Sequence, residues 1–149
     1  MNDLTIVPCH RTSYSQFHAG RFVVKDNVIV DVEPLNVALW MNIMNIRRET
    51  LPYCQRCEFQ PYCISGCLGA QFESNGELFC PCISVCDMFR AKLCFIIWKY
   101  EKIGVLQTAM RLGCIAPKEL ENIQRIKDTW IYKQMENCNG RYPEALRND

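Results

Sequence analysis

The chain has 149 residues, about the length of one domain, and 49% of them are hydrophobic. With only 22% charged residues it can bury a core, which excludes wholesale disorder. Its 17 basic and 16 acidic residues give a formal net charge of +1, so charge gives no reason to expect nucleic acid or an anionic membrane as a partner.

The N-terminal part predicts a small β-element followed by a helix. Residues 1–20 are irregular, and residues 21–33 predict a hairpin because two β-branched runs flank Lys25-Asp26-Asn27. Asp and Asn tolerate the left-handed backbone that tight hairpin turns need. Pro34 suits the first turn of a helix over about 35–48.

The segment 51–86 has neither helical nor strand periodicity, and prolines and glycines interrupt it. Such a segment buries little and cannot hold one conformation through packing alone. We therefore expect a metal or a cluster to cross-link it. Seven of the chain's 11 cysteines fall here, at Cys54, Cys57, Cys63, Cys67, Cys80, Cys82 and Cys86.

The C-terminal part predicts two helices. Asp87 can cap the first, whose apolar residues follow helical spacing until Gly113. The second begins near Pro117 and frays near Asn139, and the last nine residues are expected to be loose. The fold class is therefore α+β: an N-terminal hairpin and short helix, a cysteine-rich loop and a C-terminal helical hairpin. The expected domains are 1–90 and a helical extension over 91–149.

The cysteine spacing restricts the metal chemistry. The first four cysteines of the segment form C-x2-C-x5-C-x3-C, and thiolates select zinc or iron–sulfur clusters. Structural zinc usually uses two short knuckles a dozen or more residues apart, but Cys63-x3-Cys67 follows the first pair too closely to be a second knuckle. The spacing favours a cluster, while zinc and cysteines without a ligand role remain alternatives.

This spacing resembles the core of the SPASM domain, the C-terminal auxiliary iron–sulfur domain of many radical S-adenosylmethionine enzymes that modify peptides or proteins. The similarity covers roughly residues 9–90, with Cys9 upstream, the hairpin in its place and Cys86 downstream. It implies an auxiliary [4Fe-4S] module that relays electrons and helps to bind a substrate peptide.

The resemblance also implies the ligands of two clusters. Carried over by position, the first cluster takes Cys54, Cys57, Cys63 and Cys86. Cys67 crosses to a second cluster, where Cys9 joins it. Cys80 and Cys82 are weaker ligand candidates, since they can equally flank Cys86 without binding metal.

The second cluster lacks a ligand that the family pattern requires. The family has a cysteine five residues after a hairpin glycine, where this chain has Val32 or Lys25, depending on the alignment. Asp31, His10 and His18 are alternative ligands. The resemblance is therefore compatible with an absent second cluster or with one that has an open or non-cysteine site.

The chain contains no C-x3-C-x2-C motif and no glycine-rich strand-to-helix unit for a nucleoside. We therefore expect it not to be catalytic alone, and to work with a radical S-adenosylmethionine catalytic domain or subunit and a peptide or protein substrate. A zinc-stabilised interaction module without a redox role is the alternative function. The cysteine-rich composition without a signal sequence or a long apolar run predicts a reduced, cytoplasmic protein without a membrane partner.

Two further predictions concern residues near these motifs. Arg56, inside the first cysteine pair, could donate to a cluster sulfur, although simple exposure fits as well. Cys94, Cys114 and Cys138 accompany the helical half and are expected to be small buried hydrophobes.

Overall fold

The computed structural model describes residues 4–63 and 66–141. Within these ranges the protein has a three-stranded antiparallel sheet and six α-helices, which confirms the α+β class. The elements in chain order are β1 Thr5–Ile6, β2 Gly20–Lys25, β3 Val28–Pro34, α1 Val37–Met44, α2 Leu68–Asn75, α3 Ile83–Lys102, α4 Val105–Arg111, α5 Pro117–Lys127 and α6 Trp130–Asn137.

The chain divides into two compact units that interleave in sequence. The first comprises Met1–Gln55 and Ser65–Cys82, and the second Arg56–Ile64 and Ile83–Asp149. Of the nine C-terminal residues predicted to be loose, those from 142 onward lie outside the described residues. The described helices include none that is both long enough and apolar enough to cross a membrane.

The first unit contains the sheet, in the order β1-β2-β3. The predicted hairpin forms because Asp26 and Asn27 have φ values of 50° and 61°, the left-handed conformation that a two-residue hairpin turn requires. Phe22 pairs with Val32 across the two strands, and the register shifts between Val23 and Val24. β1, in a region predicted to be irregular, adds a short third strand.

The helix predicted over 35–48 is shorter than expected. It begins at Val37 because Asn36 Oδ1 accepts a hydrogen bond from the Leu39 amide at 2.9 Å. Pro34 ends β3 instead of opening the helix. The first-turn amides of a helix have no partner within the helix. The Asn36 side chain can accept from one of them, whereas the Pro34 side chain has no acceptor atom, so Asn36 determines where α1 starts.

Aromatic rings and α2 form much of the packing within the first unit. The Phe17 and Phe72 rings meet edge to face, with their centroids 4.7 Å apart, and Tyr14 packs against both. Trp40 Nε1 donates to the Ala19 carbonyl at 2.8 Å. α2 itself lies in the segment for which the sequence predicted no regular structure.

In the second unit, each of the two predicted C-terminal helices is replaced by two shorter helices. α3 begins at Ile83, before the predicted cap, and ends ahead of Gly104, whose φ of 75° suits a glycine. α5 and α6 are separate because the Thr129 side chain accepts from the Tyr132 amide at 3.4 Å and begins a new helix. The prediction of one continuous helix on each side of Gly113 was therefore wrong.

The core of the second unit lies where α3 packs against α5 and α6. Its members are almost fully buried, and they include Phe59, which precedes Cys63 by four positions in the sequence. They are Phe59, Cys94, Ile97, Trp98, Ile126, Tyr132 and Met135.

Candidate metal centre

In the second unit, Cys57 and Cys86 lie beside one guanidinium group, that of Arg90. Cys86 and Arg90 are four residues apart on α3, so their side chains share one face of the helix. Arg90 Nη2 donates to Cys57 Sγ at 3.8 Å. Both cysteines are half-buried, so the structure brings two predicted ligands of the first cluster to a cationic donor.

Arg90 is held in place on two sides. Its Nη1 atom donates to Asp87 Oδ1 at 3.0 Å within α3, and its guanidinium carbon lies 5.9 Å from the centre of the Phe59 ring. Burial opposes the charge of Arg90. The Cys57 sulfur, Asp87 and Cys86 outweigh that effect, so the pKa of Arg90 is raised above its ordinary value. The group remains a cation and a donor at any physiological pH.

Cys57 and Cys63 flank a short 3-10 turn, Gln60–Tyr62, that belongs to the second unit. The Gln60 amide donates to the Cys57 carbonyl at 3.0 Å, and the Cys63 amide donates to the Gln60 carbonyl at 3.2 Å. Cys57 and Tyr62 pack against the core of this unit. The turn therefore fixes the backbone between two predicted ligands, both of which have half-buried side chains.

Cys54 lies near the C-terminal end of the longer of the first unit's two segments, Met1–Gln55. Its amide donates to the Leu51 carbonyl at 2.9 Å, and Leu51 is buried at 3% exposure. Cys54 is itself half-buried. A buried leucine thus anchors the chain three residues before this ligand candidate.

In the first unit, Cys9 and Cys67 lie close enough for the Cys9 side chain to lower the pKa of the Cys67 thiol. Cys9 opens a turn in which its amide donates to Thr12 Oγ1 at 3.0 Å. An ion pair between Arg11 and Glu73 ties this turn to α2, and Gly69 packs directly against Arg11, where a Cβ would collide. Residues 58 positions apart in sequence are thus brought together in the first unit.

The start of α2 supplies positive potential to Cys67, which is the residue that caps this helix. The pKa of the Cys67 thiol is lowered, first by the amide of Ala70 and also by the amide of Gly69, the Cys9 side chain and the Arg11 charge, while burial opposes them. The Cys67 side chain does not complete a regular cap hydrogen bond, so the amides act as oriented dipoles rather than as a full cap.

Three further ligand candidates of the first unit, Asp31, Cys80 and Cys82, have hydrogen-bond partners within it. Asp31 Oδ1 accepts from the amide of Val32, which is exposed on β3 and takes the place of the family's cysteine, at 2.8 Å. Cys82 is buried, with its sulfur 3.2 Å from Ser74 Oγ, and the Asn75 side chain donates to the Cys80 carbonyl at 3.1 Å. Cys80 and Cys82 thus contribute to the structure around the end of α2.

Within residues 4–63 and 66–141, no group of three or more His, Cys, Asp or Glu side chains lies close enough together to hold a metal ion. Of the predicted ligands, Cys57 and Cys86 each lie near Arg90, and Cys9 lies near Cys67. The donor set nevertheless fits a thiolate-bound group, because thiolates are the ligands of zinc and iron–sulfur clusters and a guanidinium stabilises their negative charge.

Sequence reasoning missed Arg90 and considered Arg56 instead. Arg56 is exposed on the surface, whereas Arg90 contacts Cys57. The usable signal was helical spacing: Cys86, Asp87 and Arg90 lie at i, i+1 and i+4, which places a cation over a cysteine one turn earlier. Asp87 accordingly orients Arg90 within α3 instead of capping its first turn.

No protein-family model, no curated protein and no solved structure matches the chain. What the protein does must therefore be inferred from its own cysteines and from the groups around them.

Proposed function

We propose that this chain is an auxiliary iron–sulfur module similar to the SPASM domain, in which Cys54, Cys57, Cys63 and Cys86 hold a [4Fe-4S] cluster. The module works with a radical S-adenosylmethionine catalytic domain or subunit that modifies a peptide or protein. It has no catalytic residue of its own, and it belongs to the cytoplasm, where free thiols stay reduced.

The observation that carries this proposal is that Arg90 donates to Cys57 and lies one helical turn after Cys86. Two half-buried thiols beside a fixed cation offer sulfur ligands together with a hydrogen-bond donor that can stabilise the negative charge of a thiolate-bound group. A merely structural cysteine pair has no need of a half-buried guanidinium held by Asp87.

Cys54 and Cys63 complete the proposed ligand set through chain connectivity. Cys54 precedes Cys57 by three residues, and the 3-10 turn at Gln60–Tyr62 leads directly to Cys63. Ligand binding would then hold residues 57–63 against the start of α3, because ligation free energy is folding free energy for a segment with little core of its own. When bound, a [4Fe-4S] cluster supplies one-electron transfer.

A second cluster on Cys67 and Cys9 is a subordinate part of the proposal. The contact between these two thiols and the amides at the start of α2 support a thiolate site there. Val32 cannot act as a ligand, so a second cluster would need a non-cysteine ligand or an open position, and His10 Nδ1 lies 3.8 Å from Cys9 Sγ.

Metal and acid-labile sulfide analysis of protein purified without oxygen tests the proposal. About four irons and four sulfides per chain, with a broad absorption band at about 400 nm, are expected for one cluster. About eight of each would mean that the second site is also filled. Zinc without sulfide would instead identify a zinc-stabilised interaction module and would contradict the proposed redox role.

A further inference from the structure

The side chain of Arg90 is a cation in direct contact with Cys57, a predicted ligand of the first cluster. Its Nη2 atom lies 3.8 Å from Cys57 Sγ while its Nη1 atom binds Asp87. One edge of the guanidinium thus faces the sulfur and the other is anchored to its own helix. The Phe59 ring covers its face, so the group has little freedom to turn away.

We propose that Arg90 is a positioning residue that sets the reduction potential of the group bound by Cys57 and Cys86, with Asp87 orienting it. This inference rests on the proposed function. An N–H donor on a ligand sulfur withdraws electron density from it and stabilises the more negative, reduced form of a cluster. Burial strengthens the effect, because Arg90 is only partly accessible to water.

The geometry also separates Arg90 from other arginines near the cysteines. Arg56 precedes Cys57 in sequence but is exposed, so water screens its charge. A role that depends on the hydrogen bond and not on nearby positive charge predicts a large effect at Arg90 and little effect at Arg56. This pair of residues gives the matched control.

Redox titration of the loaded protein, followed by electron paramagnetic resonance, tests the inference in four variants. Arg90→Gln is expected to shift the potential to more negative values, and Arg90→Lys to shift it less, since lysine keeps the charge but not the planar fork. Asp87→Asn is expected to give a small shift in the same direction. Arg56→Gln is expected to leave the potential unchanged.

Iron release to a chelator provides a second measurement if Arg90→Gln loads poorly. Loss of a hydrogen-bond partner around a metal site typically weakens binding about 10-fold or more. Iron release is therefore expected to be fastest from Arg90→Gln, slower from Arg90→Lys and slowest from Arg56→Gln. Circular dichroism on each variant identifies any that fails to fold, and Arg90→Lys then carries the comparison.

The outcomes separate this inference from the proposed function. Equal potentials and equal release rates in loaded wild-type and Arg90 variants would overturn the role of Arg90 and leave the cluster in place. Equal shifts in the Arg90→Gln and Arg56→Gln variants would reduce the effect to general charge and also overturn it. Wild-type protein without iron and sulfide would overturn the proposed function, and the role of Arg90 with it.

Discussion

Tyr132 donates its hydroxyl hydrogen to Glu101 Oε2 at 2.7 Å from a side chain that is 1% exposed. The other carboxylate oxygen of Glu101 accepts from Lys127 Nζ at 2.6 Å. Burial alone would raise the pKa of Glu101, but these two hydrogen bonds outweigh it and hold the pKa below its usual value. One carboxylate on α3 thereby links side chains of α5 and α6.

Removing this carboxylate is expected to destabilise the second unit. Glu101→Ala leaves the Tyr132 hydroxyl buried without its acceptor, which costs about 1–3 kcal/mol. Glu101→Gln keeps an acceptor oxygen and should lose less. Urea denaturation measures both, with Glu121→Gln, at an exposed position on α5, as a control expected to stay within about 0.5 kcal/mol. Equal stability of Glu101→Ala and wild type would show that the network contributes nothing.

The same network predicts how stability depends on pH. Because the folded-state pKa of Glu101 lies below its ordinary value of 4.5, its contribution is fully present above that value. It is lost as the pH falls through the lower folded-state pKa. The difference in unfolding free energy between wild type and Glu101→Gln should therefore be constant from about pH 6 to 7 and narrow below about pH 4.5. A difference that widens on acidification would contradict this sign.

Cysteine substitutions are expected to separate ligands from bystanders. Cys57→Ser should release most of the metal and loosen the segment 51–86, because serine is a poor ligand for iron and zinc. Cys138, which follows α6 and is half-buried, is not a predicted ligand, so Cys138→Ser should keep wild-type metal content. Metal analysis of both proteins is the measurement. Equal metal content in both variants would remove Cys57 from the ligand set.

Local turn chemistry was the part of the fold that the sequence predicted well. Asp26 and Asn27 adopt the left-handed backbone expected of them, since a two-residue turn leaves the backbone few options. The break at Gly104 was missed because Ile103 continues the apolar spacing past the end of α3. Helical periodicity records which face is buried and not whether the backbone continues, so it cannot detect such a break.

The candidate site was predictable only in part, because ligand spacing is local and ligand surroundings are not. The contact between Cys9 and Cys67 joins positions far apart in sequence and was anticipated only through the family resemblance. Arg90 was missed because it lies four residues past Cys86, the last cysteine of the segment, and reaches Cys57 only once α3 has folded. The predicted boundary at residue 90 stays a prediction about which parts fold independently.

Cys94 and Cys114 are expected to react with alkylating agents very differently. Cys94 is fully buried, and burial raises its pKa to about 11, with the Thr129 side chain opposing. Against the ordinary 9.0 this lowers the thiolate fraction about 100-fold near neutral pH. Cys114 is exposed, so the prediction that it would be buried was wrong. Mass spectrometry after iodoacetamide treatment should find native protein modified at Cys114 and not at Cys94. Modification of Cys94 at a similar rate would mean that the core opens readily.

Replacing Gly140 by alanine is expected to destabilise the protein for two reasons, backbone strain and a steric clash. The same substitution at Gly113 measures the backbone strain alone. Its φ of 79° is a left-handed conformation that alanine adopts at a cost, and a Cβ there would collide with the Trp98 ring. Gly113 has a similar φ of 67° with nothing within 4 Å of such a Cβ.

Gly113→Ala should therefore lose about 1 kcal/mol of stability from backbone strain alone. Gly140→Ala should lose a further 1–3 kcal/mol, roughly the cost of overpacking a core. Urea denaturation of both variants measures the difference, and equal losses would mean that the Trp98 ring moves aside without cost.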